Sequence, residues 1–156
     1  MGKRSAGILM YRCNNSDLEV LLAHPGGPYY RNKDLGVWSL PKGEFAEDED
    51  PKDAAIREFK EELGADVSGK MIELSPITQK SGKEVLAWAI EGDFNPDDIV
   101  SNSFPMEWPP KSGKIQEFVE VDRVEWFNIE LAKAKIISGQ GALLTELAER
   151  LGSDKH

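Results

Sequence analysis

The chain has 156 residues, enough for one domain with a real core and too few for two ordinary ones. Its 28 acidic residues outnumber 19 basic ones, and the formal net charge of −9 speaks against holding long nucleic acid on a general basic surface. One cysteine, Cys13, excludes an intrachain disulfide, and two histidines, His24 and His156, exclude a Cys/His zinc site.

At the N-terminus, Lys3 and Arg4 precede an apolar run, Ala6 to Tyr11, that is too short for a signal peptide and stops at Arg12. Met1-Gly2 hints at myristoylation, but Ala6 stands where that pattern needs Ser or Thr. Nothing approaches a membrane span, and a cytoplasmic protein is expected, with residues 1–152 as one domain and 153–156 as a tail.

In chain order, Ser5 to Cys13 and Leu18 to Ala23 read as strands of a hairpin around the turn cluster Asn14-Asn15-Ser16-Asp17. Cys13 reads as buried and inert, and His24 as a satisfied strand-end histidine. His24-Pro25-Gly26-Gly27-Pro28 breaks the pattern, and a polar loop carries Tyr29 and Tyr30 to the short apolar piece Val37 to Leu40. The clearest helix runs from Pro51 to Leu63: Asp50 suits the N-cap, Pro51 the first position, Asp53 the first turn and Gly64 the terminator. Met71 to Gln79, Val85 to Ile90 and Phe118 to Phe127 read as strands. Gly92 to Gln116 is expected to be a long proline-rich loop whose aromatics, Phe94, Phe104 and Trp108, pack it onto the core or stack a base. Glu130 to Ile137 and Ala142 to Leu151 read as helices. This mixed order predicts an α/β or α+β sandwich.

On the Pro51–Leu63 helix, Ala55, Ile56, Phe59 and Leu63 form an apolar stripe. Glu58, Glu61 and Glu62, at i, i+3 and i+4, share a face expected to turn away from it. Like charges at this spacing repel. A solvated acidic face is one reading; a site for a hard divalent cation, held by a few carboxylates together with substrate phosphates, is the other.

The segment ahead of the helix decides between them. Gly43, Glu49, Arg57, Glu58, Glu61, Glu62 and Gly64 fit the spacing G-x5-E-x7-R-E-U-x-E-E-x-G-U at every fixed letter, with Phe59 and Ala65 at the looser apolar positions. The chain is thereby similar to the Nudix hydrolases. Trp38-Ser39-Leu40-Pro41-Lys42-Gly43 resembles the W-x-x-P-K-G stretch of the branch that acts on diadenosine polyphosphates, Arg4-Ser5-Ala6-Gly7 that branch's first strand, and Val124 to Phe127 its late strand.

The resemblance implies an α/β/α sandwich with a mixed central sheet, and magnesium or manganese held by Glu58, Glu61, Glu62 and the Gly43 carbonyl. It implies a structural pairing of Arg57 with Glu49. Bound water would attack phosphorus, and a carboxylate must take its proton: Glu61, or else Glu120 or Glu117 near the late strand. Lys42, Arg4, Trp38 and Tyr30 are the expected substrate contacts. The implied activity is hydrolysis of a phosphoanhydride in a nucleoside diphosphate linked to another group. A diadenosine polyphosphate cleaved asymmetrically comes first and a nucleoside triphosphate second, with a diphosphoinositol or capped RNA third. The partner is then a small nucleotide, with no long nucleic acid and no membrane, and the protein a monomer or homodimer. A non-catalytic binding module of the same fold is the alternative; such modules commonly lose box glutamates, and all are present here.

Overall fold

The computed structural model describes residues 4–153. Met1 to Lys3 and His156 lie outside them, as does the expected tail apart from residue 153, which falls within the last helix. Nine strands and three α-helices follow in the order β1 (Arg4–Asn14), β2 (Asp17–Pro25), β3 (Lys42–Glu44), α1 (Pro51–Leu63), β4 (Met71–Glu73), β5 (Ile77–Thr78), β6 (Glu84–Glu91), β7 (Ser103–Glu107), β8 (Ile115–Val119), β9 (Val121–Asn128), α2 (Ile129–Lys135) and α3 (Gly141–Ser153).

β1 is the centre of the sheet, and its sequence explains why. A strand buried on both faces reads as an unbroken apolar run, and Ser5 to Tyr11 are all buried. Alternate side chains then feed two cores. Ala6, Ile8 and Met10 pack under Ala54, Ala55, Phe59 and Leu63 of α1. Leu9 and Tyr11 join Ala132 of α2 and Leu143, Leu144 and Leu147 of α3 on the other face. The sheet order is β4-β6-β1-β2-β9, with β3 paired to β1 and β5 to β6. β1 and β6 run parallel and the other pairs of this sheet antiparallel, so the sheet is mixed and sandwiched between helices, as expected. Among the described residues no helix is long and apolar enough to cross a membrane.

Several expectations are corrected. The segment Met71 to Gln79 is not one strand: β4 and β5 are separated around Pro76, which has no N–H to give a ladder. Phe118 to Phe127 divides between β8 and β9 at Glu120. The region Gly92 to Gln116 is not structureless. It holds a short 3₁₀ turn, Pro96–Asp98, and most of a separate hairpin in which β7 and β8 pair Phe104 with Phe118 and Met106 with Gln116. Its aromatics pack on the protein: Phe94 meets Phe59 edge-on at 6.4 Å, and Trp108 meets Tyr29 at 5.2 Å. Cys13 is exposed, since β1 outruns the sheet layers where it turns into β2.

Gly26 marks a tight crossing. Its N–H donates to the Glu120 carbonyl at 2.8 Å, and a Cβ there would fall 1.9 Å from the Val119 carbonyl oxygen. That neighbour is backbone and cannot step aside. Gly26→Ala is therefore expected to destabilise the fold by about 1–3 kcal/mol, as overpacking does. Chemical denaturation measures this, and a midpoint equal to wild type would refute the crowding.

Candidate active site

α1 is closed at both ends by its own sequence. The Asp50 carboxylate accepts from the Asp53 N–H at 3.1 Å, and Gly64, at φ 83°, takes the left-handed cap and donates to the Lys60 carbonyl. The last turn also receives the Val100 N–H at Leu63 and the Asn102 N–H at Glu61, each at 3.0 Å. The Asn102 carbonyl then accepts the Glu120 N–H at 2.8 Å. A short relay of backbone bonds thus holds Glu120 against the carboxylate helix.

The buried residues of α1 are Ala54, Ala55, Glu58, Phe59, Glu62 and Leu63. Glu58 and Glu62 are therefore not turned away from the apolar stripe; they border it and are each only 8% exposed. Glu58 lies over Gly43, where a Cβ would meet its carboxylate carbon at 2.1 Å. Only glycine leaves that carboxyl its place.

Arg57 organises the rim. Its Nε and Nη2 donate to the two carboxylate oxygens of Glu49 at 2.8 and 3.0 Å, the pairing the resemblance implies. Its Nη1 donates to Glu58 Oε1 at 2.9 Å and to Glu61 at 3.2 and 3.3 Å. Arg57 lowers the Glu49 carboxyl below its ordinary range. The Glu58 carboxyl is raised by burial and by Glu61, against the pull of Arg57. The Glu62 carboxyl is pushed up to about 8, first by burial, then by the charges of Glu58 and Glu120. Lys42 is half-buried on the approach to Gly43; burial and then Lys83 hold its ammonium below the usual lysine value, opposed by Glu62, Glu44 and Glu58.

Two buried carboxylates with raised proton affinity, a glycine cradle and a third negative charge nearby suit a divalent cation, whose charge would reverse the penalty of burying them. Glu58 and Glu62 would hold it, with Gly43 the residue that admits it. Among the described residues no three acidic or imidazole groups are already drawn into a ligand shell. Glu58 and Glu61 share the Arg57 Nη1, Glu58 through one oxygen and Glu61 through both.

The other expected residues divide. The charge of Glu120 reaches Glu58 and Glu62, whereas Glu117 stands exposed on β8 opposite Pro105. Arg4, on the strand beside Gly43, pairs with Glu84 at 3.2 Å and lies over the Phe45 ring. Tyr30 is 41% exposed on the 26–36 loop, with Lys33 over its ring. Trp38 is corrected: it is 1% exposed, edge-on to His24 and Phe127, and sits in the core under α2 and α3, on the sheet face away from α1. Trp38 and Leu40 alternate into that same core.

Sequence reasoning did not find Gln140. It is fully buried in the corner between α2 and α3; its carbonyl accepts the Leu40 N–H at 3.3 Å, and its amide donates to Ser39 Oγ at 3.1 Å. It thereby braces the segment leading to Lys42 and Gly43. Its position between Gly139 and Gly141 was the one available signal, and that marks a turn rather than a brace.

The NUDIX domain family matches residues 1–147, and the chain belongs to that family. An RNA pyrophosphohydrolase of Gluconacetobacter diazotrophicus is 49% identical over 70 residues, which cover 41% of this chain and 38% of that protein. An m7GpppN-mRNA hydrolase of Saccharomyces cerevisiae is 32% identical over 94 residues, 60% of this chain and 8% of that protein. The chain thus spans well under half the length of either curated relative. The structure of a C. elegans Ap4A hydrolase binary complex superposes with a TM-score of 0.67 at 24% identity, covering 97% of this chain and 98% of that one, and so shares the fold.

Proposed function

We propose that the protein is a metal-dependent hydrolase that breaks a phosphoanhydride bond in a nucleoside diphosphate linked to another group. One observation carries this reading: Glu58 is buried over Gly43 with Glu62 buried one helical turn further on, an arrangement that is costly unless a cation shares it. Magnesium or manganese fits the all-oxygen donors. When bound, the cation supplies charge neutralisation at the phosphoryl oxygens and acidifies a water. The protein's own residues do the rest. Lys42 meets a phosphate oxygen, Glu58 and Glu62 would hold the cation, and Glu120 or Glu61 accepts the proton of the attacking water. Glu120 is the better placed, because its charge bears on Glu58 and Glu62 while both Glu61 oxygens are bonded to Arg57.

The substrate of first choice is a diadenosine polyphosphate, supported by the W-x-x-P-K-G stretch and by a neighbour of like fold. The second reading, removal of pyrophosphate from the 5′ end of an RNA, is favoured by the relative at 49% identity. A nucleoside triphosphate is the third. The protein would work in the cytoplasm, as a monomer or homodimer.

The test is a panel of diadenosine tetraphosphate, nucleoside triphosphates and a short 5′-triphosphorylated RNA, each incubated with magnesium or manganese and analysed by mass. Asymmetric cleavage of the first yields ATP and AMP, whereas the others yield a 5′-monophosphate and pyrophosphate. A stoichiometric complex with intact nucleotide, and no product from any of them, would make the protein a binding module instead.

A further inference from the structure

His24 is fully buried at the end of β2, and both of its ring nitrogens face acceptors. Nε2 lies 2.7 Å from the Lys33 carbonyl oxygen and Nδ1 lies 2.8 Å from Asp122 Oδ1. A carbonyl can only accept a hydrogen bond, so Nε2 carries a proton. That fixes the tautomer of a neutral ring and would leave a bare Nδ1 lone pair facing a carboxylate. Asp122 is 34% exposed. A proton therefore lies between Nδ1 and the Asp122 carboxyl, and the ring is bonded at both ends.

The partners of this ring join two distant segments of the chain. Lys33 belongs to the loop that presents Tyr29 and Tyr30, and Tyr29 packs edge-on against Trp108 of the β7–β8 hairpin. Asp122 lies on β9 two residues after Glu120, whose carbonyl takes the Gly26 N–H from the other end of the same loop. The charged groups around the ring are Asp122 and Arg123 on β9, Lys33 and Asp34 on the loop, and Lys135 on α2. Arg123 lies over Trp38, and Asp34 accepts the Trp38 indole N–H and pairs with Lys135.

We propose that His24 is a positioning residue: a buried imidazole, hydrogen-bonded at both nitrogens, that clips the 26–36 loop to the start of β9 and sets the Tyr29–Trp108 pair at a fixed distance from Glu120. The spectroscopic half of this proposal stands on geometry alone; the kinetic half rests on the hydrolase reading above.

Nitrogen–proton correlation spectra of the imidazoles of the full-length protein at pH 7 test the first half. The chain has two histidines, so a His24→Gln sample assigns the signals. The His24 Nε2–H should be visible and slow to exchange with water; an Nε2 without its proton overturns the proposal. Because His24 is buried and its replacement can disturb folding, the second half uses the more exposed Asp122. Asp122→Ala should open the Nδ1 end of the clip and raise KM for the cleaved nucleotide about tenfold, with kcat changed less than about twofold. Asp122→Asn, whose amide can donate to a bare Nδ1 and keep the clip closed, should restore KM to near the wild-type value. An unchanged KM in Asp122→Ala, or an equal loss in both variants, overturns the positioning role. Absence of turnover on every nucleotide would defeat the hydrolase reading and leave the spectra to decide the clip.

Discussion

Glu62→Gln is expected to lower turnover by about 10²- to 10⁴-fold while making the metal-free protein more stable. The two effects share one cause. In the metal-free state burial, Glu58 and Glu120 push the Glu62 carboxyl from 4.5 up to about 8. The folded value lies above the unfolded one, so the protonated group stabilises the fold fully below pH 4.5, and that contribution is lost as pH rises through about 8. Its size is on the order of 2–5 kcal/mol. Glutamine keeps the shape and cannot ionise, so the variant should not lose this contribution at alkaline pH. Thermal melts in chelator from pH 5 to 9, beside activity in magnesium, test both halves. A metal-free variant that melts below wild type at pH 9 would show that Glu62 is not desolvated, and undiminished turnover would remove it from the site. By the same linkage, a cation should bind more tightly as pH rises toward 8, since it must displace the Glu62 proton.

Gly43→Ala separates activity from stability in a different way. The added Cβ would lie 2.1 Å from the Glu58 carboxylate, so one of the two must give way. The carboxylate ends a flexible side chain, whereas Gly43 is held in β3 by its pairing with Ala6. Glu58 therefore moves, at small cost to folding, and leaves the position from which it would grip a cation. Activity should fall about 10- to 100-fold, the scale seen when a ligand loses its orientation, and the melting temperature should hold within a few degrees. Full activity in this variant would mean that Glu58 works from elsewhere.

Local chemistry made much of this readable. Asp50, Pro51 and Gly64 bracket α1, and the unbroken apolar run of β1 announces the central strand. Spacing along one helix put Glu58, Glu61 and Glu62 on adjoining turns, but spacing does not say which of them the sheet will bury. That depends on the faces β1 and β3 present, so the immersion of Glu58 and Glu62 became visible only in three dimensions. The choice between Glu117 and Glu120 was likewise closed to sequence, because it turns on bonds from Glu120 to Asn102 and Gly26 across long stretches of chain. Trp38 misled through its closeness to Lys42 and Gly43: four residues of chain suffice to pass from the core to Lys42. The β7–β8 hairpin was hidden by Pro105, which interrupts an apolar alternation yet is harmless in a ribbon with free edges.

The hairpin leaves the body of the protein and returns to it at Asn102 and Glu120, and these two residues are bonded to each other. Whatever length of chain loops out between them, its two feet stay buttoned together and anchored to the last turn of α1. A protein built this way can lengthen, trim or exchange its outer arm without moving Glu120 at its base. On the proposed hydrolase reading, substrate preference and catalysis are thus free to evolve on separate schedules.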